Sequence, residues 1–214
     1  ELALACDRSY MLDDAERQLR MVASAERPQF LARGLSALAR AWLVRADYAK
    51  AERLLMESKA LGAGNRLQAA RTNAVLAQLF NLRANSAEAE RLVREGLDML
   101  PVVDGFDDDL VELDLQMQLS LARWGKGDTK GAIAVLDTAV VDAEALGDPG
   151  LTALAELLGQ RGYASTQLFR LTAAEDDLRR SLAALGERSP ITKNTVRRHL
   201  AHLLILLNRR AEAQ

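Results

Sequence analysis

Apolar residues recur at three- and four-residue spacing along almost the whole chain, as in Leu35, Leu38, Ala39, Trp42 and again in Leu54, Leu55, Ser58, Leu61. That is the period of helices that each bury one face. No run alternates with period two, and β-branched residues are few, so strands have no support. Breaks come at regular intervals: Arg27-Pro28, Gly62-Ala63-Gly64-Asn65, Pro101, Gly147-Asp148-Pro149-Gly150 and Ser189-Pro190. The stretches between them run to roughly 35–40 residues, too long for one average helix and suited to a pair. Each holds a short polar kink: Arg45-Ala46-Asp47, Ala84-Asn85-Ser86, Gly125-Lys126-Gly127-Asp128 and Arg170-Leu171-Thr172. Asp47, Ser86 and Asp128 are the expected N-caps of the helices that follow.

The kinks bring internal repeats into register. After each comes a small residue: Ala15, Ala51, Ala89, Ala132, Ala174 and Ala213. Twelve residues before each stands another: Ala3, Ala39, Ala77, Ser120, Gly162 and Ala201. Four residues after the second anchor an apolar residue follows, Leu19, Leu55, Val93, Leu136 or Leu178, and three further on Val22, Ser58, Gly96, Ala139 or Ser181. Helical hairpins need small residues where two helices cross closely and larger ones where neighbouring pairs meet. The pattern predicts an array of such hairpins.

The run Leu35…Leu38-Ala39…Trp42…Tyr48…Ala51…Leu55…Ser58 resembles a tetratricopeptide repeat, and Leu76-Ala77…Phe80…Ala89…Val93…Gly96 repeats it. Later units depart from that pattern, with Arg123 and Ser165 where an aromatic is usual and Arg161 where leucine is usual. Successive second anchors lie 36, 38, 43, 42 and 39 residues apart, longer than the roughly 34 of the family. Such long units resemble both MalT-like bacterial transcription regulators and the kinesin-light-chain-like repeats attached to some bacterial kinases. The fold expected is an all-α solenoid of five to six antiparallel helical hairpins, a right-handed superhelix as the resemblance implies. It forms one array over 1–214, with hairpins near 1–26, 28–62, 65–100, 107–147, 150–186 and 190–214, the last truncated. A chain that opens on Glu1 and stops as a second helix begins is expected to be a piece of a larger protein.

The resemblance also implies that the first helix of each hairpin lines a groove that receives a partner. The residues it places there are Arg33, Ser36, Arg40 and Leu43, then Arg71, Ala74, Gln78 and Asn81, then Asp114, Met117, Leu121 and Trp124. Glu156, Tyr163 and Thr166 follow, and lastly Arg198, His202 and Ile205. Arg33, Arg40 and Arg71 either grip carboxylates or phosphates or merely solvate a helix face. Trp124 and Tyr163 are aromatic anchors, or Trp124 packs at a hairpin bend. Gln78, Asn81, Arg198 and His202 complete the expected contact set. The Lys/Asn set with which some family members clamp a peptide carboxylate is missing.

Charge and composition narrow the function further. The net charge of −2 conceals +2 over residues 1–100, −9 over 101–160 and +5 over 161–214. The basic residues are spread along amphipathic segments, which disfavours direct nucleic-acid binding. A single cysteine, Cys6, excludes a disulfide framework and a multi-cysteine metal cage, and a buried inert thiol is expected. No membrane span or export leader is evident, so the cytoplasm is the expected location.

The acidic residues Asp104, Asp107, Asp108, Asp109, Glu112 and Asp114 lack a calcium-loop register and read as a solvated loop running into a helix N-terminus, or as a docking patch. His199 and His202 share a helix face beside Arg197 and Arg198, which repel a metal ion. The Gly125–Gly131 segment lacks the glycine and hydroxyl positions of a phosphate loop. No catalytic set, metal site or cofactor is expected. The chain is expected to be a non-catalytic interaction or regulatory module that binds a peptide, a partner helix or another domain of its own protein. The alternative is a sensor that holds a small effector.

Overall fold

Helix follows helix from Leu2 to Leu206 in the computed structural model, which describes residues 2–22, 27–100, 106–186, 189–209 and 212, the side chains of 2–10, 22 and 106 excepted. α1 (Leu2–Val22) precedes α2 (Pro28–Val44) and α3 (Tyr48–Gly62), α4 (Arg66–Leu82) and α5 (Ser86–Met99), α6 (Phe106–Gly125) and α7 (Thr129–Ala145). A short 3₁₀ turn (Asp148–Gly150) leads to α8 (Leu151–Gln167), α9 (Leu171–Leu185) and α10 (Pro190–Leu206). Two compact units divide the chain, 1–111 and 112–214. In the first, α2 packs on α3, α3 on α4 and α4 on α5; in the second, α8 packs on α9, with α7 and α10 to either side.

The expected hairpin over 1–26 is instead one helix. Residues 2–22 contain no glycine or proline and no left-handed residue, so nothing turns the chain back. Ala15 therefore lies on the same helix as Ala3, and it is exposed. α1 still behaves as the second helix of a pair toward its neighbour. Asp13 bonds Lys50 at 2.9 Å, Glu16 bonds Arg53 at 3.0 Å and Arg20 bonds Glu57 at 2.6 Å, joining α1 to α3. Such pairs at a solvent-accessible surface contribute little energy each, about 0–1 kcal/mol, but they fix register.

Small anchors are buried wherever a complete hairpin exists. Ala39, Ala77 and Ser120 on first helices, and Ala51, Ala89, Ala132 and Ala174 on second helices, are at most 2% exposed. At Gly162 an added Cβ would stand 2.8 Å from Leu178 Cγ and 3.1 Å from the Ala174 carbonyl oxygen. The helices cross too closely there for a larger residue. The small residue seven positions after the second anchor ties the pair together: Ser58 Oγ donates to the Ala32 carbonyl at 2.8 Å, and Ser181 Oγ to the Ala155 carbonyl at 2.6 Å.

Five turns share one geometry. Ala46, Ala84, Gly127, Phe169 and Asn208 all have φ between 56° and 83°, and each precedes a second anchor by five residues. The next N–H reaches back over the turn, as from Asp47 to Trp42 O (3.1 Å), Asn85 to Phe80 O (2.8 Å) and Arg170 to Ser165 O (3.0 Å). This is the helix-terminating Schellman arrangement, which favours glycine at the left-handed residue. Ala46→Gly and Ala84→Gly are each expected to raise stability by about 0.5–1 kcal/mol, measurable as a rise in the urea midpoint.

The residue after the left-handed one becomes the N-cap. Asp47 accepts from Lys50 N at 3.1 Å and Asp128 from Gly131 N at 2.8 Å, as expected. Ser86 is not a cap. Asn85 holds the equivalent position and its Oδ1 accepts from Glu88 N at 3.3 Å, leaving Ser86 as the first helical residue. Asn65 likewise caps α4, accepting from Gln68 N at 2.9 Å.

Candidate functional site

Residues expected on the first helices meet different surroundings. In the first unit Arg33 and Arg40 are exposed, and the half-buried Arg71 pairs with Asp107 at 2.9 Å. The Arg71 hydrogen bond holds the Asp107 carboxyl below its ordinary range, aided by the field of Arg33. Asp107 of the acidic cluster is thus engaged within the chain, and Glu112 and Asp114 accept from the side-chain amides of Gln116 and Gln118; Asp104 lies outside the described residues. Gln78 and Asn81 are half-buried, and Gln78 Oε1 is a buried acceptor with no donor.

The second unit carries a continuous aromatic contact. Trp124 on α6 meets Tyr163 on α8 edge to face, with ring centroids 4.8 Å apart and planes at 64°. Tyr163 stacks on His199 of α10 at 4.3 Å and 23°. All three are half-buried, so the rings support one another while part of each reaches solvent. Such contacts contribute about 0.5–1.5 kcal/mol per pair beyond their buried area. His199 has its pKa pushed down, chiefly by burial and then by Arg198 and His202, and its Nδ1 is buried without a hydrogen-bond partner. Neutral imidazole is therefore the form that packs here.

His199 joins this contact, while His202 one turn further on is exposed, as is Arg198. The signal for His199 lay in the spacing. Trp124 to Tyr163 is 39 residues and Tyr163 to His199 is 36, each three fewer than the local anchor spacings of 42 and 39. Stepping back one helical turn per hairpin draws a diagonal across three first helices, which alignment column by column does not reveal.

A second feature beside it was half visible. Arg161 on α8 forms a bidentate pair with Asp177 on α9, at 2.8 and 2.6 Å, and reaches Asp137 on α7 at 3.1 Å. Asp177 is only 5% exposed. The Asp177 hydrogen bonds, working against burial, raise the guanidinium above its ordinary pKa. In the other repeats the position of Arg161 holds Leu38, Leu76, Leu119 or Leu200, and that of Asp177 holds Leu54, Leu92 or Val135. One hairpin has exchanged an apolar pair for a buried ion pair.

Among the described residues no group of three His, Cys, Asp or Glu side chains is placed to hold a metal ion, and no helix is long and apolar enough to cross a membrane. The Cys6 side chain lies outside the described residues.

The repeated turn, the buried small anchors and the paired antiparallel helices define a tetratricopeptide-like helical repeat protein. A solved structure bears this out: the chain is similar to BtubC (BKLC) from P. vanneervenii, with TM-score 0.69 over 95% of this chain and 84% of that one, at 15% sequence identity. A likeness at that identity shows the fold. No protein-family profile matches the sequence, and no curated protein matches it.

Proposed function

We propose that this chain is a non-catalytic protein-interaction scaffold that recognises a peptide segment or partner domain on the first helices of its second unit. The observation that carries the reading is the half-exposed Trp124–Tyr163–His199 diagonal, three rings presented by three helices. Rigid aromatic side chains with an exposed edge offer large contact area for little lost side-chain entropy, which is why interfaces concentrate their energy in them. Helical repeats supply the rigid support. The resemblance of the long repeats, in their sequence, to MalT-like regulators and to the kinesin-light-chain-like repeats of some bacterial kinases supports a regulatory arm of a larger bacterial signalling or transcription-regulating protein, working in the cytoplasm.

The test is affinity capture of partners by the wild-type chain and by Tyr163→Ala and Trp124→Ala. The expected result is loss of the same partner from both variants with the helical circular dichroism unchanged. Retention in both would move the contact off this face.

A further inference from the structure

Between its neighbours α8 leaves one stripe open. α9 covers its inner side, α10 packs beside it, and the Trp124–Tyr163 contact brings α6 to the other flank. Its own hairpin is complete and a first helix lies on either side, so what stays open is left open by the array itself. Glu156, Gln160, Tyr163 and Gln167 follow one another at three- and four-residue steps along this side. Glu156 and Gln167 are exposed, and Gln160 and Tyr163 are half-buried. Tyr163 is braced by Trp124 and by His199, 36 residues on. Glu156 accepts from Thr192 at 3.3 Å, again 36 residues on. The carboxylate thus sits on a second diagonal, parallel to the aromatic one and two helical turns before it.

This stripe holds a carboxylate, two amides and a phenol ring, and no basic side chain. The position of Glu156, six before the first small anchor, is Asp114 on α6 but Arg33 and Arg71 in the first unit. The sign is reversed in the second unit, so the rings there lie beside carboxylates and select a cationic group. Gln160, between the carboxylate and the ring, has no hydrogen-bond partner among the described residues. Its amide suits a peptide backbone with unpaired groups of its own, which an α-helix does not offer. Seven residues of α8 separate Glu156 from Tyr163, a rise of about 10.5 Å. In a polyproline II chain residues three apart point the same way and lie about 9 Å from each other. A β-strand turns residues three apart to opposite faces.

We propose that the second unit binds a proline-rich segment of a partner protein in polyproline II conformation, with an arginine or lysine three positions from a proline. The proline packs on the Tyr163 ring beside Trp124, the cation meets the Glu156 carboxylate, and Gln160 bonds the backbone between them. This occupant rests on the aromatic face being the contact face, as proposed above. A second copy of the chain does not supply the segment. Of its four prolines, Pro190 alone has a basic residue three positions away, Lys193, and both belong to the first turn of helix α10.

Short labelled peptides followed by fluorescence anisotropy provide the test. One is proline-rich with arginine three positions from a proline, and a second carries glutamate in place of that arginine. A third is a helix former with arginine and leucine seven positions apart. The arginine–proline peptide is expected to bind, less tightly as salt rises, and the other two at least about tenfold more weakly. Glu156→Lys should cost the first peptide at least about tenfold in affinity and shift preference to the glutamate peptide, with circular dichroism unchanged. Tyr163→Ala should abolish binding of both proline-rich peptides. Equal binding of those two, binding of none, tighter binding of the helix former, or indifference to Glu156→Lys would overturn the proposal. Partner capture separates this outcome from failure of the face itself. Partners lost from Tyr163→Ala and Trp124→Ala but kept by Glu156→Lys leave the face in place and remove the proline-rich segment as its occupant; partners kept by all three variants remove both.

Discussion

Replacing Arg161 by leucine is expected to destabilise the second unit by about 3–5 kcal/mol, because it strands the Asp177 carboxylate in a buried site. Both oxygens of that carboxylate are bonded by Arg161, and the aspartate is 5% exposed. Asp177→Leu alone should act in the same direction, leaving the guanidinium, among the described residues, with the exposed Asp137. The double variant Arg161→Leu/Asp177→Leu recreates the leucine pairing found at 38 and 54 and at 76 and 92. It should recover wild-type stability or exceed it by about 1–4 kcal/mol, since a well-packed apolar pair avoids the desolvation of two charges. Urea denaturation of the three variants measures this directly. Additive losses in the double variant would show that packing around the hairpin has come to depend on the ions.

Trp42→Ala is expected to reduce the stability of the first unit by about 3–5 kcal/mol. Trp42 is 2% exposed and the largest of the fully buried side chains, and it sits where α2 ends against the start of α3. The Lys50 ammonium lies 4.0 Å from the ring centroid, so its stem closes the ring off from water. Truncation opens a cavity that the turn, held by two backbone bonds to the Trp42 carbonyl, cannot collapse to fill. Trp42→Phe should cost far less, because the indole Nε1 makes no hydrogen bond that would be lost. Thermal unfolding followed at 222 nm distinguishes the two variants.

Much of the architecture was readable before any coordinates. Two small residues twelve apart mark each close crossing, and Gly162 shows why: a Cβ there meets Leu178 and a backbone carbonyl. What escaped the reading has identifiable causes. α1 runs through the place where the pattern asked for a turn, because small residues permit a hairpin but only a left-handed residue makes one. Asn85 displaced Ser86 as a cap because the turn, not cap propensity, decides which residue sits first. Arg161 stood out as a departure from leucine, but its meaning appears only when position 177 is compared across repeats as well. For the candidate site, Trp124 and Tyr163 were readable as first-helix aromatics, while their union with His199 depends on the inclination of one helix to the next. Composition carries no trace of that.

The central claim, that the aromatic diagonal is the contact face, is tested most directly by site-specific photo-crosslinking. A photoreactive aromatic side chain placed at position 163 is expected to trap a partner covalently. The same group at Val141, 62% exposed on the second helix α7, should trap none. Crosslinking from 141 with none from 163 would contradict the account and place recognition on the second helices.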